Sequence, residues 1–173
     1  MNPEDERRTQ QKMAQLAGCN GNYSSFHENL KKKRLDWWEA NKNNLNLKGP
    51  LPRQAYEMVL FQYMKIPPKE VPVVEETENK ITWVSSNFCP ILEACQRLGL
   101  DTRVVCKQGA EQSVQDLISE LNPNLVFSRN YKDLRPYGKY CEESFELRVS
   151  NSSPHIQPEG TKQTIHNPNR PRP

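Results

Sequence analysis

The sequence has no run of about 20 apolar residues, so no segment of it is built to cross a bilayer as a helix. Glycine is scarce, with 7 in 173 residues, and none of them forms a loop that would cradle a phosphate. Histidine is scarcer: there are 3, and His155 and His166 fall near the C-terminal end, so His27 stands alone before residue 150. No Ser-His-Asp or Cys-His arrangement is legible from that supply. No Cys-x-x-Cys occurs, which excludes a zinc ribbon or a thioredoxin motif. Hydrophobic residues make up 35% of the chain, below the share of an ordinary domain, so part of the chain is expected to lie outside a core. The first residues, Met1-Asn2-Pro3-Glu4-Asp5-Glu6, are polar and acidic, unlike a secretory signal. The expectation is a cytosolic protein with no membrane partner.

Charge is nearly balanced. Twenty-four Lys and Arg against 21 Asp and Glu leave +3, too small a surplus to argue for nucleic acid. The sharpest basic run, Lys31-Lys32-Lys33-Arg34, sits inside a helical pattern over Ser25–Asn43. It reads as the solvated face of that helix. No base-reading element accompanies it.

Composition separates three regions. Residues 1–49 are polar and rich in Asn, Gln and Lys; they read as a helical N-terminal arm that a protein partner would suit. Residues 50–149 hold most of the apolar periodicity and four of the five cysteines. Residues 150–173 contain five of the 14 prolines and almost no large apolar residue, so a disordered tail is expected there. In the arm, Ser25-Phe26-His27-Glu28 spells a capping box, and Trp37-Trp38 suit docking of the helix onto the body. In the body, a helix opens at Pro52 and stops at Ile66-Pro67-Pro68. Val71–Val74 is limited by Pro72 to an edge strand, Ile81–Phe88 reads as a strand, and Leu125-Val126-Phe127 as a short one. Val114, Leu117, Ile118 and Leu121 follow helical spacing over Ser113–Leu121. Phe145, Leu147 and Val149 alternate with polar residues as a strand with one wet face. The expected fold is α+β, with helices packed on a small, mostly antiparallel sheet.

The chemistry lies with the cysteines. Cys89 precedes Pro90, a residue suited to the first helical position, so Cys89 is the expected N-cap residue. Unpaired amides and the dipole at such a helix start favour a thiolate, which suits a nucleophile or a metal ligand. The same helix is expected to end at Gly99. Cys95 lies with Ile91, Leu92 and Leu98 on its apolar face and reads first as a small buried hydrophobe. It is about 120° around the helix from Cys89. Cys89, Cys106 and Cys141, with Cys95 as a fourth, form the candidate set for zinc or an iron–sulfur cluster. Arg129, at a strand end, would hold a carboxylate in two-pronged fashion. Arg103, Tyr131, Tyr137, Tyr140 and Glu142 complete the polar candidates; of these Arg103, Tyr137 and Tyr140 are the expected ligand-binding residues.

The stretch from Trp83 to Leu147 resembles the L-2-amino-thiazoline-4-carboxylic acid hydrolase-like family, and more distantly the small-molecule-binding 4-vinyl reductase domain. The shared frame is a strand ending in Cys89-Pro90, a helix closing on Leu98-Gly99-Leu100, then Cys106, a strand with Arg129, and Gly138-Lys139-Tyr140-Cys141 leading into the strand with Phe145. The family name implies ring-opening of a cyclic amidine acid, and the resemblance places the last strand beside the one that leads to Cys89. The chain departs from the family pattern after Cys106, where Lys107-Gln108 replace an acidic residue, and after Cys141, where Glu142-Glu143-Ser144 lengthen the approach to Phe145. The leading expectation is a small-ligand, metal or iron–sulfur binding protein whose pocket is lined by Cys89, Cys106 and Cys141. A Cys-dependent hydrolase of a small C–N compound is the second, with Cys89 as nucleophile and Arg129 on the substrate carboxylate. A non-catalytic interaction module is the third.

Overall fold

A computed structural model of the chain describes residues 1–148. The tail expected over 150–173, and Val149, lie outside the described residues. Two helices open the chain, α1 (Pro3–Ala17) and α2 (Ser24–Asn41). The Asn2 side chain accepts from the Asp5 amide and Glu4, Asp5 and Glu6 fill the first turn of α1, which suits the positive end of the helix dipole. The capping box expected at Ser25 does not form. The Asn22 side chain instead accepts from the Ser24 amide at 3.0 Å, which starts α2 one residue earlier.

The third helix, α3 (Leu51–Tyr56), widens into a π-helical segment, Glu57–Tyr63. Strands β1 (Val73–Glu76) and β2 (Lys80–Ser85) follow as a hairpin. Helix α4 (Pro90–Leu98) ends on Gly99, whose φ of 65° is the left-handed conformation that favours glycine. A short α5 (Thr102–Val105) runs through a second π-helical segment, Cys106–Glu111, into α6 (Gln112–Leu121). Strands β3 (Leu125–Arg129) and β4 (Cys141–Leu147) close the fold.

The four strands form one sheet in the order β1-β2-β4-β3, with every pairing antiparallel. Pro72 leads into the edge strand β1, as a residue without an N–H must. The α+β architecture expected from the sequence is the one observed.

Side chains alternate across the sheet, and one face carries the core. Ile81 and Trp83 of β2, Phe145 of β4 and Leu125 and Phe127 of β3 point to the same side. Helix α3 and the π-helical segment after it cover them with Ala55, Met58 and Val59, and α6 with Val114, Leu117 and Ile118. Trp83 centres this layer, with its ring 4.8 Å from Phe145 and 5.3 Å from Tyr56.

A second core forms where residues 1–49 meet the body. Leu16, Tyr23, Phe26 and Leu30 are buried against Ala94, Cys95 and Val105. Trp37 and Trp38 pack against the first core, and His27, read from the sequence as lying outside the body, bonds Asp116 of α6 at 2.8 Å. The N-terminal segment is therefore docked along its length.

Gly109 shows how close this docking is. A Cβ at this position would stand 2.5 Å from the Phe26 ring, and Phe26 is wholly buried, so the ring has no room to yield. Gly109→Ala is expected to destabilise the protein by about 1–3 kcal/mol, the scale of overpacking in a filled core, despite alanine's better helix propensity. Urea denaturation of the full chain measures it; a stabilised variant would show that α2 shifts freely on the π-helical segment.

Candidate functional site

The core face of the sheet changes chemistry along its length. At one end it is aromatic and aliphatic. At the other, Glu143 of β4 lies between Trp83 of β2 and Arg129 of β3, and Cys141 lies opposite Ser85. Arg129 donates to Glu143 Oε1 through Nε at 2.8 Å and also through Nη2. The other carboxylate oxygen accepts from the Trp83 indole at 3.1 Å and the Ser85 hydroxyl at 2.9 Å. Both ionic side chains are 10% exposed, so the pair is charge-assisted and buried. Burial works against the Arg129 charge, but the Glu143 carboxylate outweighs it and holds the guanidinium protonated.

Above this end of the sheet is a cavity of about 100 Å³. For scale, an engineered cavity of about 150 Å³ accommodates benzene. Each wall comes from a different element. The π-helical segments contribute Val59 and Leu60 on one side and Cys106 and Ala110 on another. A π turn widens a helix and recurs at functional sites. The start of α4 contributes Cys89, Ile91 and Leu92, and the sheet contributes Trp83, Cys141 and Phe127. The chain between β3 and β4 contributes Leu134 and Arg135. A Cβ on Gly138 would overlap the Asp133 carbonyl at 1.8 Å, so only glycine lets this loop fold back, where its amide bonds Leu134 O at 3.1 Å.

The structure brings Cys89, Cys106, Cys141 and Arg129 to one cavity. Cys89 is the N-cap residue of α4, its sulfur accepting from the Leu92 amide at 3.5 Å. Cys106 is buried, and desolvation pushes its thiol up to about 12. Cys95 lies away from them in the second core, fully buried, and burial raises its thiol to about 11. Among the described residues, no group of three or more His, Cys, Asp or Glu side chains is placed to hold a metal ion.

Arg103, Tyr137 and Tyr140 do not line the cavity. Arg103 pairs with Asp101 at 2.8 Å and stacks 4.1 Å from the Tyr137 ring centre, while the Tyr137 hydroxyl donates to Asp101 at 3.2 Å. Tyr140 is exposed. Tyr131 donates to Glu111, and Glu142 accepts from Asn130.

Three cavity residues escaped the sequence reading. Arg34, the last residue of the basic run, is buried rather than solvated and donates to Ser113 Oγ. It lies four and eight residues after Leu30 and Phe26, on the buried face of α2, and that spacing was its signal. Glu143 has the parity of Phe145 and Leu147, which marks it as core-facing. Arg135 stands in an irregular loop and carried no signal.

A wider groove of about 540 Å³ adjoins the cavity and shares Arg34, Met64, Ile66, Asn87, Cys89 and Ile91 with it. Helix α1 faces this groove with Arg8 and Lys12. Lys12 is pushed down to about 8 by its burial and by the nearby positive charges of Lys33 and Arg34. No helix among the described residues is long and apolar enough to cross a membrane. No protein-family model, no curated protein and no solved structure matches the chain.

Two outcomes follow from this geometry. With thiols raised to about 11 and 12, Cys95 and Cys106 hold roughly one thiolate in a thousand or fewer at pH 8. Iodoacetamide at pH 8 should therefore modify the half-buried Cys89 and Cys141 well before Cys95 and Cys106, as read by peptide mass spectrometry. Early labelling of Cys106 would mean that the cavity opens to solvent. Glu143→Ala leaves Arg129 buried without its carboxylate and should cost about 3–5 kcal/mol in urea denaturation. A loss below about 1 kcal/mol, the scale of an exposed pair, would show that the pair is solvated.

Proposed function

We propose that the protein binds a small organic molecule in the cavity lined by Cys89, Cys106 and Cys141. The observation that carries this reading is the convergence of those thiols with Arg129 from segments far apart in sequence on one small, mostly apolar cavity. Such a cavity supplies shape and dispersion contacts for an apolar body, while the few polar groups set its orientation. Among the described residues the three thiols, though they line one cavity, are not placed as a group that could hold a metal ion, which favours an organic ligand over a metal. The apolar faces of α1 and α2 are already buried against the body, which favours a ligand over a protein partner for that segment. We place the protein in the cytosol, where thiols stay reduced, on its five free cysteines.

A Cys-dependent hydrolase is the second reading. Cys89 at a helix start and Arg129 share the cavity, as a nucleophile and a carboxylate-holding group would. Among the described residues no histidine lines the cavity, and the one carboxylate that does, Glu143, is held by Arg129, Trp83 and Ser85. The reading therefore lacks a free base, and binding is preferred.

A screen of small organic fragments by saturation-transfer NMR on the full chain tests the binding reading, with Ala110→Leu as the control that fills the cavity. Fragments should bind the parent protein and lose their signal in the variant, with circular dichroism showing that the variant is folded. Fragments that bind both proteins equally, or stoichiometric zinc or iron in anaerobically purified protein, would overturn it.

A further inference from the structure

Three arginines reach the cavity from three directions: Arg34 from α2, Arg129 from β3 and Arg135 from the loop between β3 and β4. Each has a buried nitrogen with no hydrogen-bond partner among the described residues, namely Arg34 Nε, Arg129 Nη1 and Arg135 Nε. Buried donors are nearly always paired, and a guanidinium cannot shed its proton to relieve the cost. That the three residues carrying such an atom all line one cavity makes this a collective feature of its wall.

Charge gives an independent observation. Among the described residues Glu143 is the sole carboxylate that lines the cavity, and it is already engaged by Arg129. Three guanidiniums and one carboxylate leave the described lining with a surplus of two positive charges. Arg34 and Arg129 are close enough that the charge of Arg129, added to burial, weakens the hold of Arg34 on its proton. Like charges are brought together in a low-dielectric site when an anion joins them. Among the described residues Arg34 makes no ion pair: its one side-chain hydrogen bond goes to the Ser113 hydroxyl, and Asp116, whose charge supports it from farther off, is engaged by His27 and Lys31.

We infer that the ligand of this cavity is a doubly charged small anion, a dicarboxylate or a phosphate monoester, whose negative charges are shared by Arg34, Arg129 and Arg135. This rests on the small-ligand reading above and deepens it. Planar guanidinium forks suit carboxylate and phosphate oxygens, and their spread over three elements suits a ligand with charge on more than one oxygen pair or face. The cyclic amidine acid implied by the sequence resemblance carries a single carboxylate and a basic amidine, so it would not balance this cavity. The cavity holds only a few heavy atoms, and the adjoining groove, which shares Arg34 with it, has room for the rest of a longer molecule. Arg34 also gives the N-terminal segment a part in the site: without α2, one of the three guanidiniums is missing.

Isothermal titration of the full chain at constant ionic strength tests the inference with four probes: succinate, methyl phosphate, butyrate and the neutral succinamide. Succinate or methyl phosphate should bind at least about tenfold tighter than butyrate and succinamide. Preference for succinate identifies a dicarboxylate ligand, and preference for methyl phosphate a phosphate ester. Arg34→Met keeps the length of the side chain without its charge, and should bring the dianion down to the affinity of butyrate. Arg135→Met, at a less buried position, makes the same test should Arg34→Met fail to fold. Lys32→Met, on the exposed face of α2, should change nothing. Equal binding of succinate, butyrate and succinamide, all lost in Ala110→Leu, would overturn the dianion and leave the small-ligand reading standing. Dianion affinity that survives both arginine variants would also overturn it, and no binding of any probe, together with a failed fragment screen, would overturn both.

Discussion

The ion pair between Arg129 and Glu143 governs the end of the sheet where the candidate site lies. Two charges face the core side of a sheet, where an unpaired one would be strongly disfavoured. They are tolerated because β3 and β4 pair in a register that sets them directly opposite, and because Trp83 and Ser85 satisfy the second carboxylate oxygen. That register also puts Phe127 against Phe145 and Leu125 against Leu147, so the same pairing builds the apolar layer and the polar end. A one-residue slip would turn both to the outer face. Structure and candidate site thus depend on one alignment of two strands.

The cavity exists because the helices above this end of the sheet do not close down on it. Both π-helical segments pass here, and the start of α4 adds Cys89, Ile91 and Leu92 to the wall. Elsewhere the helix layer is tight: Phe26 lies against Gly109 so closely that a methyl group would not fit. The packed second core borders the open space, with Ala110 belonging to both. It also ties the N-terminal segment to the site, since Phe26 and Arg34 share one face of α2, one packing on the helix layer and the other reaching the cavity.

Much of this was legible in the order of residues. Local rules identified the cap at Cys89 and the stop at Gly99, because both depend on neighbours within a turn. The alternation before Leu147 identified β4, and the spacing of Val114, Leu117 and Ile118 identified α6. The capping box failed because the helix starts at Ser24, after the Asn22 side chain that accepts from the Ser24 amide, which leaves Ser25 inside the first turn rather than at the cap. Arg34 was misplaced because a run of four cations was taken as one face, although a helix turns about 100° per residue and the run spans more than one face. Arg103, Tyr137 and Tyr140 have the chemistry of ligand-binding residues but not the place: Arg103 and Tyr137 form a surface cluster around Asp101, and Tyr140 is exposed.

By itself the sequence determined the fold class, the position of most helices and strands, and the chemical inventory of thiols and arginines. Those properties follow from periodicity, capping and composition, all of which act over a few residues. Only the tertiary structure decided that Cys89, Cys106 and Cys141 share a cavity while Cys95 does not, that Glu143 pairs with Arg129, and that Arg34 and Arg135 bring two further charges to the same place. The energy of a buried charge depends on its distance to others and on the medium between them, and both are set by contacts between segments remote in sequence.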